Sequence, residues 1–383
     1  MRPAIFRSFL GPEFAPPEPP VRAELFSIER LEAHAQVLAS SQAVAGNPRN
    51  ARSLTARLND NSKVLADAYR TVAATVAARQ PISPAASWLL DNYHIVDEQL
   101  RLIRNDLPPG FYRRLPKLSD GHLKGYPRVF GISWALVAHT DSAFDATKII
   151  RFVNAYQTVQ PLEIGELWAL AITLRITLVE NLRRLAEAIL AQHVAASAAD
   201  TLAGQIFASV DGHPQSEDAI VACLAAAPWS SAFAVELAQR LRHQDAAVVP
   251  ASRWLNDRLV AAGSTMDSIV RDDVNWHIAT DVTVRNVITS MRLVSMMNWP
   301  EVFETVSLVD AVLRHADDSS TGFGAMDFQS RDHYRRAIEE LARQSKLTEV
   351  AVATKVISAA EKGVTLRERD PGLLPHRSRQ AQP

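Results

Sequence analysis

The chain is poor in the residues that would tie it to an oxidising compartment, a sheet or a bilayer. Cys223 is the only cysteine in 383 residues, so no intrachain disulfide can form and no second thiolate can share a metal with it. A reducing compartment suits that usage. Glycine is scarce, at 14 residues, while leucine, alanine and arginine are abundant, a balance that favours helices over turn-rich sheets. Neither sign of charge prevails: 41 basic and 42 acidic residues leave no global field to draw nucleic acid or anionic lipid. No segment reaches the roughly 18–20 continuous apolar residues that span a bilayer. The nearest, Ala219 to Val235, is alanine-rich and broken by Pro228. The opening MRPAIFRSFLGPEFAPPEPP lacks the apolar core of a signal peptide. A cytoplasmic chain is expected, without a transmembrane helix. Phosphate loops (GxxxxGK[ST], GxGxxG), HExxH and GxSxG are also missing, which removes the entry residues of nucleotide-binding, zincin and α/β-hydrolase chemistry.

What is present is helical periodicity, strongest over Trp88 to Leu118. Leu89, Tyr93, Val96, Leu100, Ile103 and Leu107 recur at 4-3-4-3-4 spacing and draw one apolar stripe along a helix. His94, Glu98, Arg101 and Asn105 form a polar stripe beside it, with Asp97 four residues before Arg101. Ser83-Pro84 reads as an N-cap with proline in the first turn, and Pro108-Pro109-Gly110 as the stop. One amphipathic helix of about six turns is expected between them.

The remaining chain divides in the same way. Residues 1–21, with six prolines in the first twenty positions, read as an extended lead. Ala23–Gln42 and residues 51–79 read as helices separated by Asn47-Pro48, and Asn61 takes an apolar slot of the second. A polar residue there either fixes the register of a neighbouring helix or sits part-exposed. Residues 108–125, rich in Pro, Gly and basic side chains, form a connector. Pro127 opens the next helix, and Ser142 to Asp145 resembles a capping box before the helix that ends at Tyr156. Pro161 then opens the longest helix, to about His193, apolar nearly all round through Leu167–Leu178. After a soft boundary at 197–215, helices are expected near 216–227, 229–243, 251–262, 265–279, 281–297, 299–315 and 327–344. A last one begins at Thr348. Residues 363–383 show no periodicity. The expected fold is all-α with no sheet: about twelve helices in two packed sub-bundles, 22–196 and 216–362.

Candidate chemistry is thin. Asp91, His94 and Glu98 put two carboxylates and an imidazole on neighbouring turns, half of a helix-bundle metal site, but no matching acid/histidine pair is visible. The simpler reading is a solvated face, and neither metal nor cofactor is assigned. In the connector, Arg113, Arg114, Lys117, His122 and Lys124 with Phe111 and Tyr112 suit a phosphate or sugar, or simply a solvated loop. A guanidinium at Arg175, within so apolar a helix, requires a carboxylate or several carbonyls; an acid such as Glu166, Glu180 or Asp91 is expected. If a polar site exists, Asp91, His94, Glu98, Arg101, Arg113 and Arg175 would compose it. Acid pairs such as Asp272/Asp273 or Asp317/Asp318 are indistinguishable from surface charge, and the seven tryptophans read as core filling sooner than sugar platforms.

The blocks WLLDNYHIVDEQLRLIRNDLPPGFYRRLPKL, GYPRVFGISWALVAHTDSAFD, RFVNAYQTVQPLEIGELWALAITLRITLVENLRRLAE, NVITSMRLVSMMNWPEVFETVSLVDAVL and MDFQSRDHYRRAIEELAR resemble the N-terminal region of cyclic β-1,2-glucan synthases. The resemblance runs from about Arg22 to about Ala360. It implies a helical region that precedes a membrane-embedded, UDP-glucose-dependent glycosyltransferase and phosphorylase-like domains, in a large Gram-negative inner-membrane protein. The transferase's aspartates are not matched, nor is its QxxRW motif: Arg253-Trp254 follows Pro250 where glutamine is required. No catalytic residue carries over. The expectation is a truncated or split synthase: a non-catalytic module on the cytoplasmic side, peripheral to the inner membrane. Its partner would be the transferase portion, with β-glucan a further candidate and nucleic acid excluded. A free-standing all-α glycan-active enzyme, or a carbohydrate- or nucleotide-binding protein, is the alternative.

Overall fold

The computed structural model describes residues 17–45, 52–107, 109–212, 221, 224–225, 229–241, 249–315, 322–345 and 347–362. Among them lie fifteen α-helices and one antiparallel ladder of two two-residue strands. The chain is therefore all-α, as its composition predicts, with more helices than the periodicity suggests. Cys223, Asn47-Pro48, Asp317/Asp318, most of 216–227, most of the lead and the tail fall outside the described residues.

Several helices begin where a short polar side chain meets the first free N–H groups. α1 (Ile28–Ser41) starts after Ser27, five residues later than its composition suggests. α2 covers Leu54–Ala77. α3 (Pro84–Asp91) is capped by Ser83, whose Oγ accepts from the Ala86 N–H at 3.2 Å. The expected six-turn helix does not run on from there: it breaks at Asn92, and α4 (Tyr93–Asp106) starts afresh. The Asn92 side-chain amide donates to the Trp88 carbonyl at 2.9 Å, the local competition by which Asn loosens a helix interior.

The connector is folded, contrary to its reading as loop. α5 (Pro109–Arg114) leads into β2 (Lys117–Leu118), which pairs with β1 (Val44–Ala45) in the register Val44 to Leu118. α6 (Arg128–His139) follows Pro127. α7 (Ala146–Gln157) is capped by Asp145, which accepts from the Lys148 N–H at 2.8 Å, so the cap is Asp145 and not Ser142. Ser142 instead has a left-handed backbone (φ 63°) and is buried.

α8 spans Ile164–Gly212, 49 residues, far past His193. Alanines at 195–199 keep the helix going, and no proline intervenes. α9 (Ser231–Leu241) and α10 (Val249–Ala261) come next. α11 (Met266–Met296) fuses two expected helices, since neither Gly nor Pro lies within it. The reverse happens after Asn298: α12 (Trp299–Val306) and α13 (Leu308–His315) are separated at Ser307, whose Oγ caps the second through the Asp310 N–H at 3.1 Å. α14 (Phe328–Gln344) and α15 (Glu349–Ala360) are capped by Asp327 and Thr348.

These elements sort into two compact units interleaved along the chain. One gathers the residues up to Val21 with Asn59–Asp97 and Val179–Ile288; the other gathers Arg22–Leu58, Glu98–Leu178 and the residues from Thr289 onward. In the second unit α1 lies along α7, tied by Arg151, whose Nε and Nη2 donate to Glu32 at 2.6 and 2.8 Å. Arg128 and Glu166 make a buried two-pronged ion pair, the Nε arm at 2.9 Å. Lys117 is 1% exposed, and its Nζ donates to the Tyr112 and Leu115 carbonyls, both at 2.6 Å. Arg335 is wholly buried against Asp310 between the rings of Phe303 and Phe328. In the first unit, Phe233, Leu237, Leu241, Leu202 and Ala203 form a core beside Trp229 and Trp254.

Candidate functional site

The residues singled out by sequence do not converge on one site. Asp91 and His94 belong to the first unit, and Glu98, Arg101, Arg113 and Arg175 to the second. Asp91 is exposed and accepts from Ser87 Oγ at 3.2 Å; His94, Glu98 and Arg101 lie exposed along the polar face of α4, and Arg113 is exposed at the end of α5. Arg175 meets none of the expected acids. Glu166 is held by Arg128, and Glu180 by Asn61, Arg183 and Arg184. The nearest acid to Arg175 is instead Asp106 at 3.6 Å, with the Val294 carbonyl at 3.5 Å and the charge of Glu98 also felt. Burial lowers its pKa, and the Asp106 charge opposes that. Among the described residues no three His, Cys, Asp or Glu side chains gather as metal ligands would.

A cavity of about 430 Å³ lies within the first unit, where the composition offers little warning of one. Its apolar wall is the end of α2 (Val72), the turn at Pro81 and Ile82, and α8 at Ile189 and Leu190, with Val235 of α9. Besides Thr75 and Ser83, its polar groups come from three helices: Gln192 and His193 on α8, Glu236 and Gln239 on α9, and Asp273, Trp276 and His277 on α11. Helical spacing explains each set. Residues 236 and 239, or 273, 276 and 277, share a face because they stand three or four apart.

The two carboxylates of this cavity have different partners. Asp273 Oδ2 lies 3.7 Å from His277 Nε2, one turn on, and Glu236 accepts from Arg240 Nε at 2.9 Å. Arg240 in turn reaches Asp200 at 2.9 Å. The Asp273 side chain is only 13% exposed, and burial raises its pKa; His277 opposes the shift, and the Glu236 charge adds to it. Two buried acceptors at the cavity, Asp273 Oδ1 and Gln192 Oε1, find no hydrogen-bond donor among the described residues. Trp276 stands edge-on to His277, ring centres 5.0 Å apart. The arrangement sets an aromatic surface, amides and carboxylates around a part-open space.

Sequence reasoning reached Asp273 only as one of many acids and Trp276 only as core filling. The one signal available was their spacing of three on one helix, which does not reveal the partners on α8 and α9.

No protein-family model matches the chain. Over 337 residues it is 34% identical to the cyclic β-(1,2)-glucan synthase NdvB of Rhizobium meliloti (strain 1021), a match that takes in 87% of this chain and 12% of that protein. The chain is thus a partial homologue of a cyclic β-(1,2)-glucan synthase, related to it through this helical region.

Proposed function

We propose that the chain is a non-catalytic helical module of a cyclic β-1,2-glucan synthase-like system, which orients or regulates a UDP-glucose-dependent glycosyltransferase from the cytoplasmic side of the inner membrane. The observation that carries this reading is the 34% identity over nearly the whole chain to a small share of a glucan synthase. Two further features support it. The sequence holds no QxxRW motif, and among the described residues no helix is long and apolar enough to cross a membrane.

The test is complementation. A synthase deleted for the homologous region is expressed with this chain in trans, and cyclic β-1,2-glucan is measured. Restored glucan is expected, with no transfer of glucose from UDP-glucose by the purified chain alone. Transfer by the chain unaided would overturn the reading, as would a deleted synthase that gains nothing from it.

A further inference from the structure

We infer that the cavity formed by α8, α9 and α11 with the end of α2 is a binding site for a glucosyl residue of a β-glucan, with Trp276 as the stacking surface and Asp273, Gln192 and Gln239 as the hydroxyl-binding groups. The sugar class rests on the proposed function; the site itself rests on geometry.

Four properties point to a neutral polyhydroxyl ligand. The space is about 430 Å³, which accommodates a sugar ring with its hydroxyls. Trp276 offers an apolar face, the usual complement of the C–H face of a pyranose, and it shares the lining with the polar side chains Gln192, Gln239 and Asp273. Asp273 Oδ1 and Gln192 Oε1 are buried acceptors in want of a donor, and leaving such atoms unmatched is costly, so a ligand rich in O–H groups is favoured there. The charges also argue against a cation. Glu236 is already engaged by Arg240, which leaves Asp273 as the one carboxylate of the lining without a guanidinium partner. A polyamine or quaternary ammonium would find no free carboxylate pair. A phosphate would face two acids in a lining that holds no lysine or arginine, and Arg240 beside it is shared between Glu236 and Asp200.

The experiment titrates the full chain with the β-1,2-linked glucose disaccharide and with longer linear β-1,2-glucans, followed by tryptophan fluorescence and calorimetry. Spermidine and UDP-glucose are the comparison ligands. Saturable binding of the glucans is expected, weakened at least about tenfold by Trp276→Ala and by Asp273→Asn. Both variants are checked for wild-type helicity and melting temperature, and Gln192→Ala provides a third, milder probe of the same wall. The inference is overturned if no glucan binds, if spermidine binds in its place, or if an Arg113→Ala/Arg114→Ala variant abolishes binding that Trp276→Ala leaves intact. Binding through Trp276 by a chain that fails to restore a deleted synthase would refute the module and keep the site. Restoration without binding would do the opposite.

Discussion

Asp310 and Arg335 face each other with neither side chain exposed to water at all: Nε reaches Oδ1 at 2.9 Å and Nη2 reaches Oδ2 at 2.6 Å. Ser307 Oγ adds a third contact to the same carboxylate at 3.0 Å, and Glu304 a second acid for Nη2 at 2.9 Å. One ion pair thus ties the α12–α13 break to α14. Arg335→Ala leaves Asp310 buried without its partner and should cost about 3–5 kcal/mol in chemical denaturation. Arg335→Met in an Asp310→Leu background should lose much less, because no charge is then stranded. Equal losses in the single and double variants would refute this account.

Asn61 is 2% exposed, and its amide donates to Glu180 Oε2 at 2.8 Å, so of the two readings open from sequence the structure favours the register-fixing one. Asn61→Leu removes that donor from a wholly buried carboxylate and should destabilise the protein by about 1–3 kcal/mol. Asn61→Gln, which keeps an amide, should recover part of it. A leucine variant as stable as wild type would show the apolar slot to be indifferent to polarity.

Glu349 Oε2 accepts from the Ile164 N–H at 2.6 Å, closing the first turn of α8. Burial nevertheless pushes its pKa up to about 7, the hydrogen bond opposing the shift and the Glu163 charge adding to it. The folded state therefore holds this proton up to about pH 7, while the unfolded chain releases it near the ordinary carboxylate range. Stability from this group is fully present below about pH 4.5 and is lost as pH rises towards 7, on the order of 3 kcal/mol at most. Glu349→Gln should be the more stable protein at pH 8, and its advantage should vanish by pH 5. An advantage independent of pH would sink the assignment.

Gly131 of α6 stands where a Cβ would come within 2.8 Å of Gln42 Nε2 and 3.0 Å of a Leu118 methyl. Gln42 is not idle, since its Oε1 accepts from the Tyr156 hydroxyl at 2.9 Å. Gly131→Ala should be destabilising by about 1–2 kcal/mol despite the better helix propensity of alanine. In a Gln42→Ala background the same change should become close to neutral, and thermal melts of the four proteins read the coupling directly. Additive effects would place the clash elsewhere.

The helices were legible wherever apolar spacing and a capping residue agreed, as at Ser83, Asp327 and Thr348. They were illegible where one side chain overruled the pattern. Asn92 and Ser307 each bond to nearby backbone and end a helix that periodicity continues, because neither residue breaks a helix by propensity alone. The opposite error arises at 193–212 and 279–281, where a fading stripe looks like an end although no breaker is present. Arg175 needs compensation for its burial, but the acid beside it, Asp106, lies 69 positions away on the helix with the polar stripe, and spacing along one helix cannot point to it. The cavity was invisible for a related reason: its walls come from residues 72 to 277, and only folding places them together.

Lys117 carries a chemical consequence of its burial. Held among carbonyls and away from water, its ammonium is pushed down to about 8, the Glu166 charge opposing the shift. Near that pH about half the molecules hold a free amine, a far larger share than an ordinary lysine would have. That amine is nucleophilic but enclosed, so an acylating reagent reaches it only when the β1–β2 ladder and α5 part from it. The rate of acylation at Lys117 is accordingly a clock for local opening of the connector, readable by mass spectrometry in the otherwise folded chain.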